Sequence, residues 1–171
     1  MPVSLSRRTL LLTGVAVLGL AAFALPGLLP DEASAEAAPS AVMGADEAFA
    51  KAKSGEITLI DIRTPEEWAQ TGVPEGALAL DLTQQKSFLD TLVMLRQADG
   101  SKPIALICRT GNRSGYVVKT LAAQGFPGLV DVTEGVVGGR NGKGWLTRGL
   151  PTYKGDPDEI RVRLKQGLPK H

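Results

Sequence analysis

The stretch IALICRTGNRSGYVVKTLAAQG, residues 104–125, decides the fold because it runs from a strand through a tight loop into a helix. Ile104 to Ile107 is wholly apolar, which is typical of a strand buried on both faces of a parallel sheet. Ser114 to Gln124 has its apolar side chains at helical spacing, and Gly125 is placed to end the helix. Cys108, the single cysteine of the chain, therefore lies where the strand ends.

Strands and helices alternate on both sides of this stretch. Short apolar runs predict strands at Ala41 to Met43, Ile57 to Ile62, Ala77 to Leu80 and Leu129 to Val132. Helical spacing and start or stop signals predict helices at Ala45 to Ser54, from Pro65, at Gln84 to Gln97 and from Pro157. This alternation predicts an α/β fold of three layers, in which an open, five-stranded, mainly parallel sheet has helices on both faces.

The composition excludes several classes of function. The chain has 19 Lys and Arg residues against 18 Asp and Glu residues, a formal net charge of +1. Nucleic-acid binders need clustered basic charge, so we expect no nucleic-acid partner. The chain has a single cysteine, Cys108, and a single histidine, His171. A disulfide within the chain is therefore impossible, and metal sites or catalytic triads that use histidine lack it unless His171 supplies it.

The amino-terminal segment is typical of a targeting signal. Arg7 and Arg8 precede an apolar run from Leu10 to Leu25, and small residues lead up to Ala35. Paired arginines before such a run resemble a bacterial twin-arginine export signal, which predicts a periplasmic location. The run is short for a membrane span, so cleavage after Ala35 is favoured, and membrane contact is expected only if the signal stays uncleaved. The predicted divisions are a signal peptide at 1–35, a flexible lead-in at 36–40, a folded domain at 41–155 and a carboxyl-terminal helix and tail at 156–171.

The loop after the strand contains the candidate chemistry. Ligands of an open parallel sheet collect at the carboxyl ends of its strands, where this loop lies. Backbone N–H groups of a tight turn and of a helix start favour negative charge, and two arginines add positive charge. We therefore predict that Cys108 is largely a thiolate at neutral pH and acts as a nucleophile without histidine. The residues predicted to bind an anionic substrate are Arg109, Thr110, Gly111, Asn112, Arg113 and Ser114.

Three motifs give the chain a resemblance to a known family. ICRTGNRSG, residues 107–115, closely resembles the active-site loop of rhodanese-type sulfurtransferases. LIDIRTPEEW at 59–68, followed by GVPEGA at 72–77, resembles the amino-terminal signature of that family. The residues that resemble its closing motif are Gly138, Gly139, Trp145, Gly149, Leu150 and Pro151. The resemblance spans Ala41 to Thr152, and the chain is identified by it as similar to single-domain, rhodanese-like sulfurtransferases, with export expected from the amino-terminal signal.

The resemblance implies a rhodanese-like fold and a sulfur transfer that needs no metal and no cofactor. A sulfane sulfur passes from thiosulfate or a persulfide donor to a thiol or cyanide acceptor, with a persulfide on Cys108 as the covalent intermediate. Arg109 and Arg113 are implied to hold the sulfonate oxygens of a small anionic donor. Asp61 and Arg63 are implied to form a supporting ion pair at the end of their strand and not to react.

Two other functions share part of this pattern. Cysteine-dependent phosphatases and arsenate reductases have an arginine after five intervening residues, and here that position is Ser114, so the loop is one residue too short. A non-catalytic rhodanese-like binding module is the other alternative, and the presence of Cys108 in an intact loop argues against it. The chain departs from the family pattern at Val73, where many members have histidine, and by a longer glycine-rich insertion at Arg140 to Gly144. The first departure is expected to affect packing, and the second the rim of the site.

Overall fold

The computed structural model describes residues 41–169, so the predicted signal peptide at 1–35, the lead-in at 36–40 and His171 lie outside the described residues. The strands of the described part are β1 (Ala41–Met43), β2 (Thr58–Asp61), β3 (Val73–Pro74), β4 (Ala77–Ala79), β5 (Ile104–Ile107), β6 (Leu129–Val132) and β7 (Thr152–Tyr153). Its helices are α1 (Ala45–Ser54), α2 (Pro65–Thr71), α3 (Gln85–Ala98), α4 (Asn112–Ala123), α5 (Gly144–Thr147) and α6 (Pro157–Gly167). None of these helices combines the length and the apolar character that a membrane crossing requires.

The predicted five-stranded sheet is confirmed. Its order is β1-β6-β5-β2-β4, and every neighbouring pair in it is parallel. The strand that precedes Cys108 is the central one, with β6 on one side and β2 on the other. Because the strands are parallel, their carboxyl ends lie along one edge of the sheet, where Asp61 ends β2 and Cys108 follows β5.

Side chains of the strands alternate between two faces, and each face packs against its own helices. Leu59 and Ile107 pack on one side, in a core that also contains Ala48 of α1 and Trp145 of α5. The core on the other side joins the strands to α3 and α4, and its members include Ile60, Leu92, Leu106, Cys108, Val117 and Val118. Burial on both faces is the reason why the strands are apolar throughout and do not alternate with polar residues.

Helix boundaries follow the predicted start and stop signals at two places. Gly55 follows α1 with a φ of 79°, a left-handed conformation that glycine adopts without strain. At the start of α6, the Asp156 carboxylate accepts a hydrogen bond of 3.0 Å from the Glu159 N–H group. The predicted ends of α1 and the predicted beginning of α6 are therefore confirmed.

The predicted helix start at Ser114 is wrong by two residues, because α4 begins at Asn112. Gly111 is the residue before the helix and has a φ of 87°, so the chain turns directly from the loop into the helix. The first turn of α4 therefore includes Asn112, Arg113 and Ser114, which the sequence had placed in the loop or at its end.

The pairing of β3 with β7 and the short helix α5 were not predicted. Val73 pairs with Tyr153 in an antiparallel register, and the two residues are too far apart in the chain for a local pattern to show it. Val73 is fully buried at this position. The second, two-stranded sheet connects the segment before β4 to the segment before α6.

Candidate active site

Cys108 lies between the end of β5 and the start of α4, at the edge where the strands end. Its side chain packs into the core on the α3 and α4 face, and the residue is 1% exposed. The Ser114 hydroxyl lies 3.4 Å from the Cys108 sulfur and can donate to it, with the Gly111 carbonyl oxygen as a second acceptor at 3.2 Å. The thiol is thus covered by the loop and the helix, and a hydroxyl group faces it.

The segment after β6 holds the loop in shape. The Val136 and Val137 N–H groups donate hydrogen bonds of 2.8 and 2.9 Å to the carbonyl oxygens of Cys108 and Arg109. Gly111 packs so closely against the Thr133 carbonyl that a Cβ atom would overlap it. The loop therefore needs glycine at position 111 for two reasons, a positive φ and a close backbone contact.

The backbone N–H groups of the loop are available to a ligand. Within the described residues, no N–H group of residues 109–114 donates a hydrogen bond. The start of a helix leaves its first N–H groups without intrahelical partners, and Gly111 has no side chain that could cap them. Consecutive N–H groups of a left-handed turn and a helix start form a concave surface that binds anions.

Arg113 is bound to Glu67 of α2, a partner that the sequence did not predict. Two parallel hydrogen bonds join them, from Nη1 to Oε2 at 2.8 Å and from Nη2 to Oε1 at 2.5 Å. Burial disfavours the ionised Glu67 carboxylate, but the bonds from Arg113 and from the Thr64 N–H group outweigh this and hold its pKa below the ordinary value. The bond to Glu67 is also the largest of the causes that raise the pKa of Arg113.

Asp61 and Arg63 form an ion pair whose side chains are both fully buried. The Arg63 guanidinium donates from Nε and Nη2 to the carboxylate at distances between 2.6 and 3.0 Å. It also donates to the Thr71 hydroxyl at 2.7 Å and to the Gly72 carbonyl oxygen at 2.8 Å. The pair therefore fixes the end of α2 against the end of β2, and α2 in turn carries Glu67 to Arg113.

The remaining predicted site residues form the outer rim of the loop. Arg109 and Asn112 are exposed and Thr110 is half-buried. The Arg109 side chain has no hydrogen bond or ion pair with any residue in the range 41–169. Gly139, just before the insertion at Arg140 to Gly144, lies beside Thr110, since a Cβ atom on it would be 3.7 Å from the Thr110 Cβ atom. The residue that leads into the insertion therefore contributes to this rim.

Asp131 is a second buried carboxylate that sequence reasoning missed. It lies in β6, and it is 6% exposed. The run LVDV, residues 129–132, predicts a buried strand and gives no indication that its aspartate has a further role. Glu67, by contrast, had a visible signal: Thr64 and Glu67 have the spacing of a capping box, although nothing in that motif indicates a bond to Arg113.

The site offers hydrogen-bond donors and positive charge, which suit an anion. Among residues 41–169 there is no cluster of three or more histidine, cysteine, aspartate or glutamate side chains that could hold a metal ion. The segment that follows Cys108 supplies N–H groups without acceptors, the Ser114 hydroxyl at 3.4 Å from the sulfur and the Arg113 guanidinium, with Arg109 at the surface.

Fold and site together define the class: an open parallel α/β domain with a cysteine loop that leads into a helix. A family model for the Rhodanese-like domain matches residues 44–141, and the chain belongs to that family. An uncharacterized protein of Rickettsia prowazekii is 31% identical over 98 residues, which cover 54% of this chain and 80% of that protein. The chloroplastic protein THYLAKOID RHODANESE-LIKE of Oryza sativa subsp. indica is 27% identical over 146 residues, or 80% of this chain and 30% of that protein. A crystal structure from M. tuberculosis shares the fold with a TM-score of 0.50 at 22% identity, covering 66% of this chain and 96% of that chain.

Proposed function

We propose that this protein is a sulfurtransferase that moves a sulfane sulfur through a persulfide on Cys108. The donor is thiosulfate or a persulfide, and the acceptor is a thiol or cyanide. The observation that carries the proposal is the set of unbonded N–H groups of residues 109–114, which follow Cys108 directly. Membership of the Rhodanese-like family supports a reaction of the sulfurtransferase type.

The reaction has two displacement steps, both at sulfur. The Cys108 thiolate attacks the outer sulfur of thiosulfate, so that a new sulfur–sulfur bond forms while the bond to the sulfonate sulfur breaks and sulfite leaves with the electron pair. Cys108 then carries a persulfide anion, whose terminal sulfur the loop N–H groups stabilise. An acceptor thiolate or cyanide attacks this terminal sulfur and restores the Cys108 thiolate.

The two arginines have different parts in this proposal. Arg109 is exposed and has no carboxylate partner within residues 41–169, so its guanidinium is free to pair with the sulfonate of the donor. Arg113 is bound to Glu67 in the first turn of α4, one residue before Ser114, whose hydroxyl lies 3.4 Å from the Cys108 sulfur, so its positive charge is fixed beside the loop. We therefore assign donor capture to Arg109 and support of the sulfur anion to Arg113.

Access to Cys108 requires a local movement in this proposal, because the residue is 1% exposed. The exposed Arg109 and the half-buried Thr110 follow it immediately, and they are the residues that must move aside. We expect a small maleimide such as N-ethylmaleimide to modify Cys108 much faster than a bulky, polymer-linked maleimide does. A free thiol in a surface position would react with both at similar rates.

Intact mass spectrometry tests the proposal directly. Wild-type protein treated with thiosulfate is expected to gain the mass of one sulfur atom and to lose it to cyanide, with release of thiocyanate. Cys108→Ser is expected to gain none, whereas Asp90→Asn, on the exposed surface of α3, retains the reaction. Turnover by Cys108→Ser at the wild-type rate contradicts the proposal. A folded wild-type protein that accepts no sulfur from thiosulfate or from a persulfide favours the non-catalytic binding module.

We also propose export to the periplasm, which rests on the sequence around Arg7 and Arg8 alone. In a bacterium with the twin-arginine pathway, the wild-type chain is expected in the periplasmic fraction without residues 1–35. The double change Arg7→Lys and Arg8→Lys is expected to leave it in the cytoplasm. Unchanged localisation of the double variant contradicts this proposal.

A further inference from the structure

The glycine-rich segment at 138–144 folds back on itself as a short hairpin, called the glycine hairpin below. The Gly139 N–H group donates to the Gly142 carbonyl oxygen at 2.9 Å, and the Gly142 N–H group donates back to the Gly139 carbonyl oxygen at 3.3 Å. Two residues lie between these glycines and form the tip of the hairpin, Arg140 and Asn141. The segment therefore holds both tip residues in a defined place.

The tip of the glycine hairpin lies against the loop that follows Cys108. The glycine before the tip is beside Thr110, because a Cβ atom added to it would be 3.7 Å from the Thr110 Cβ atom. On the other side of the tip, Asn141 Nδ2 donates to the Thr133 carbonyl oxygen at 3.3 Å. This carbonyl oxygen is also the atom that a Cβ atom at Gly111 would overlap. The backbone of the tip is thus attached at the rim of the site.

The Arg140 side chain at this tip has a positive charge without a countercharge. It is exposed, and it forms no hydrogen bond or ion pair with any residue in the range 41–169. The Glu134 carboxylate packs against the hairpin, but it is already bound by Arg148 through two hydrogen bonds of 2.6 Å. Arg140 is therefore available to an anionic ligand, as Arg109 is at the same rim.

The two exposed arginines of the rim differ in their place relative to the sulfur. Arg109 follows Cys108 directly, whereas Arg140 lies on a separate segment whose contacts are with Thr110 and with the backbone below Gly111. In thiosulfate the sulfonate is bonded to the sulfur that is attacked, so its charge stays next to Cys108. A ligand whose charge is several bonds away from its reacting sulfur extends outward to the rim.

We propose that Arg140 forms a second anion subsite, which binds a carboxylate remote from the reacting sulfur, and that the acceptor is a thiol that carries such a carboxylate. The proposal deepens the sulfurtransferase function and rests on it for its effect on turnover. The acceptor thiolate attacks the terminal sulfur of the Cys108 persulfide. A new sulfur–sulfur bond forms on the acceptor while the bond to Cys108 breaks, and Cys108 leaves with the electron pair as a thiolate. Arg140 holds the acceptor and exchanges no proton or electron.

Three small thiols of similar size test the charge preference: 3-mercaptopropionate is anionic, 2-mercaptoethanol is neutral and cysteamine is cationic. Each variant is compared with wild type for the same thiol, so that the intrinsic reactivity of the thiol cancels. Arg140→Ala is expected to raise KM for 3-mercaptopropionate about fivefold and to leave KM for 2-mercaptoethanol nearly unchanged. Arg140→Glu is expected to raise KM for 3-mercaptopropionate further and to lower KM for cysteamine. Arg140→Lys keeps the charge and is expected to retain most of the wild-type preference.

The matched control is Arg161→Ala, which removes an exposed arginine from α6, the helix that packs against the edge strand β4. It is expected to leave KM for all three thiols unchanged. A merely structural role for Arg140 would affect the three thiols alike. That outcome, or an Arg140→Glu variant with the wild-type order of preference, overturns the proposal.

Alkylation of Cys108 by two maleimides separates this proposal from the sulfurtransferase function. N-ethylmaleimide is neutral, whereas 3-maleimidopropionate has a carboxylate remote from the carbon that reacts with sulfur. The chain has one cysteine, so both rates report Cys108 without any sulfur transfer. Arg140→Glu is expected to slow 3-maleimidopropionate about tenfold relative to wild type and to leave N-ethylmaleimide unchanged, because attraction is replaced by repulsion.

The two proposals then fail in different ways. A charge-dependent alkylation rate in a wild-type protein that transfers no sulfur supports the anion subsite and contradicts the sulfurtransferase function alone. Sulfur transfer by wild-type protein, together with the same ratio of the two maleimide rates in wild type and Arg140→Glu, overturns the subsite and leaves the sulfurtransferase function in place.

Discussion

Arg113 and Glu67 face each other through two parallel hydrogen bonds of 2.8 and 2.5 Å, although they lie 46 positions apart in the chain. Each residue is in the first turn of its helix, α4 and α2 respectively. The bond therefore joins α4, which follows the Cys108 loop, to α2. Helix α2 is in turn held by the buried Asp61 and Arg63 pair. Two ion pairs, joined through α2, thus link the end of β2 to the cysteine loop.

Glu67→Gln is expected to lower the free energy of unfolding at neutral pH by about 1 kcal/mol, because one ion pair and part of a helix cap are lost. The pKa of Glu67 lies below its ordinary value in the folded protein. Its contribution is therefore complete above the unfolded pKa of about 4.3 and disappears as the pH falls through the folded pKa. Denaturant titrations from about pH 7 to about pH 3 should show a shallower acid loss in Glu67→Gln than in wild type. Glu66→Gln, an exposed neighbour in the same turn, is the control, and equal acid profiles for all three proteins contradict the assignment.

Asp61→Asn is expected to cost about 3–5 kcal/mol in unfolding free energy. The reason is that the Arg63 guanidinium stays fully buried while its countercharge is removed. Chemical denaturation of the purified protein measures the loss. Asp90→Asn breaks the ion pair with Lys86, whose side chains are 65% and 90% exposed, and is expected to change little. Similar losses in the two variants would mean that the buried Asp61 and Arg63 pair does not fix α2 against β2.

Gly111→Ala is expected to destabilise the protein more than Gly55→Ala does. Both glycines have a positive φ, 87° and 79°, so both substitutions carry a strain of about 1–2 kcal/mol. At Gly55 nothing lies within 4 Å of the added Cβ, whereas at Gly111 the Cβ overlaps the Thr133 carbonyl. We expect an extra loss of about 1–3 kcal/mol for Gly111→Ala, seen in denaturant midpoints, together with loss of sulfur transfer. Equal losses would mean that the loop moves freely away from the segment after β6.

Local patterns in the sequence were sufficient for the sheet and for most helix ends. The apolar run at Ile104 to Ile107 predicted the central strand, and Gly55 predicted the end of α1, because each signal depends on neighbouring residues only. The start of α4 was misplaced since Gly111 replaces the side-chain cap that usually marks a helix start.

Contacts between distant segments could not be predicted in the same way. The bond from Arg113 to Glu67 and the pairing of Val73 with Tyr153 depend on how helices and strands are arranged after folding. The identities of Cys108 and the loop residues were visible in one motif, but the burial of the thiol was not, because it depends on how α3 and α4 pack against the sheet. Sequence reasoning therefore found the candidate nucleophile and missed the residues that hold it.

Arg109→Ala is expected to raise KM for thiosulfate about tenfold while kcat changes little, because the exposed guanidinium contributes to capture of the donor anion. Arg109→Lys keeps the charge but loses the paired N–H donors, so its KM should lie between those of wild type and Arg109→Ala. The difference between wild type and Arg109→Ala should shrink at high ionic strength, since the charge is exposed. Lys119→Ala removes an exposed positive charge from the same helix that Arg113 belongs to and serves as the control. Steady-state kinetics decides the matter: an unchanged KM in Arg109→Ala, or an equal rise in Lys119→Ala, shows that donor capture does not depend on Arg109.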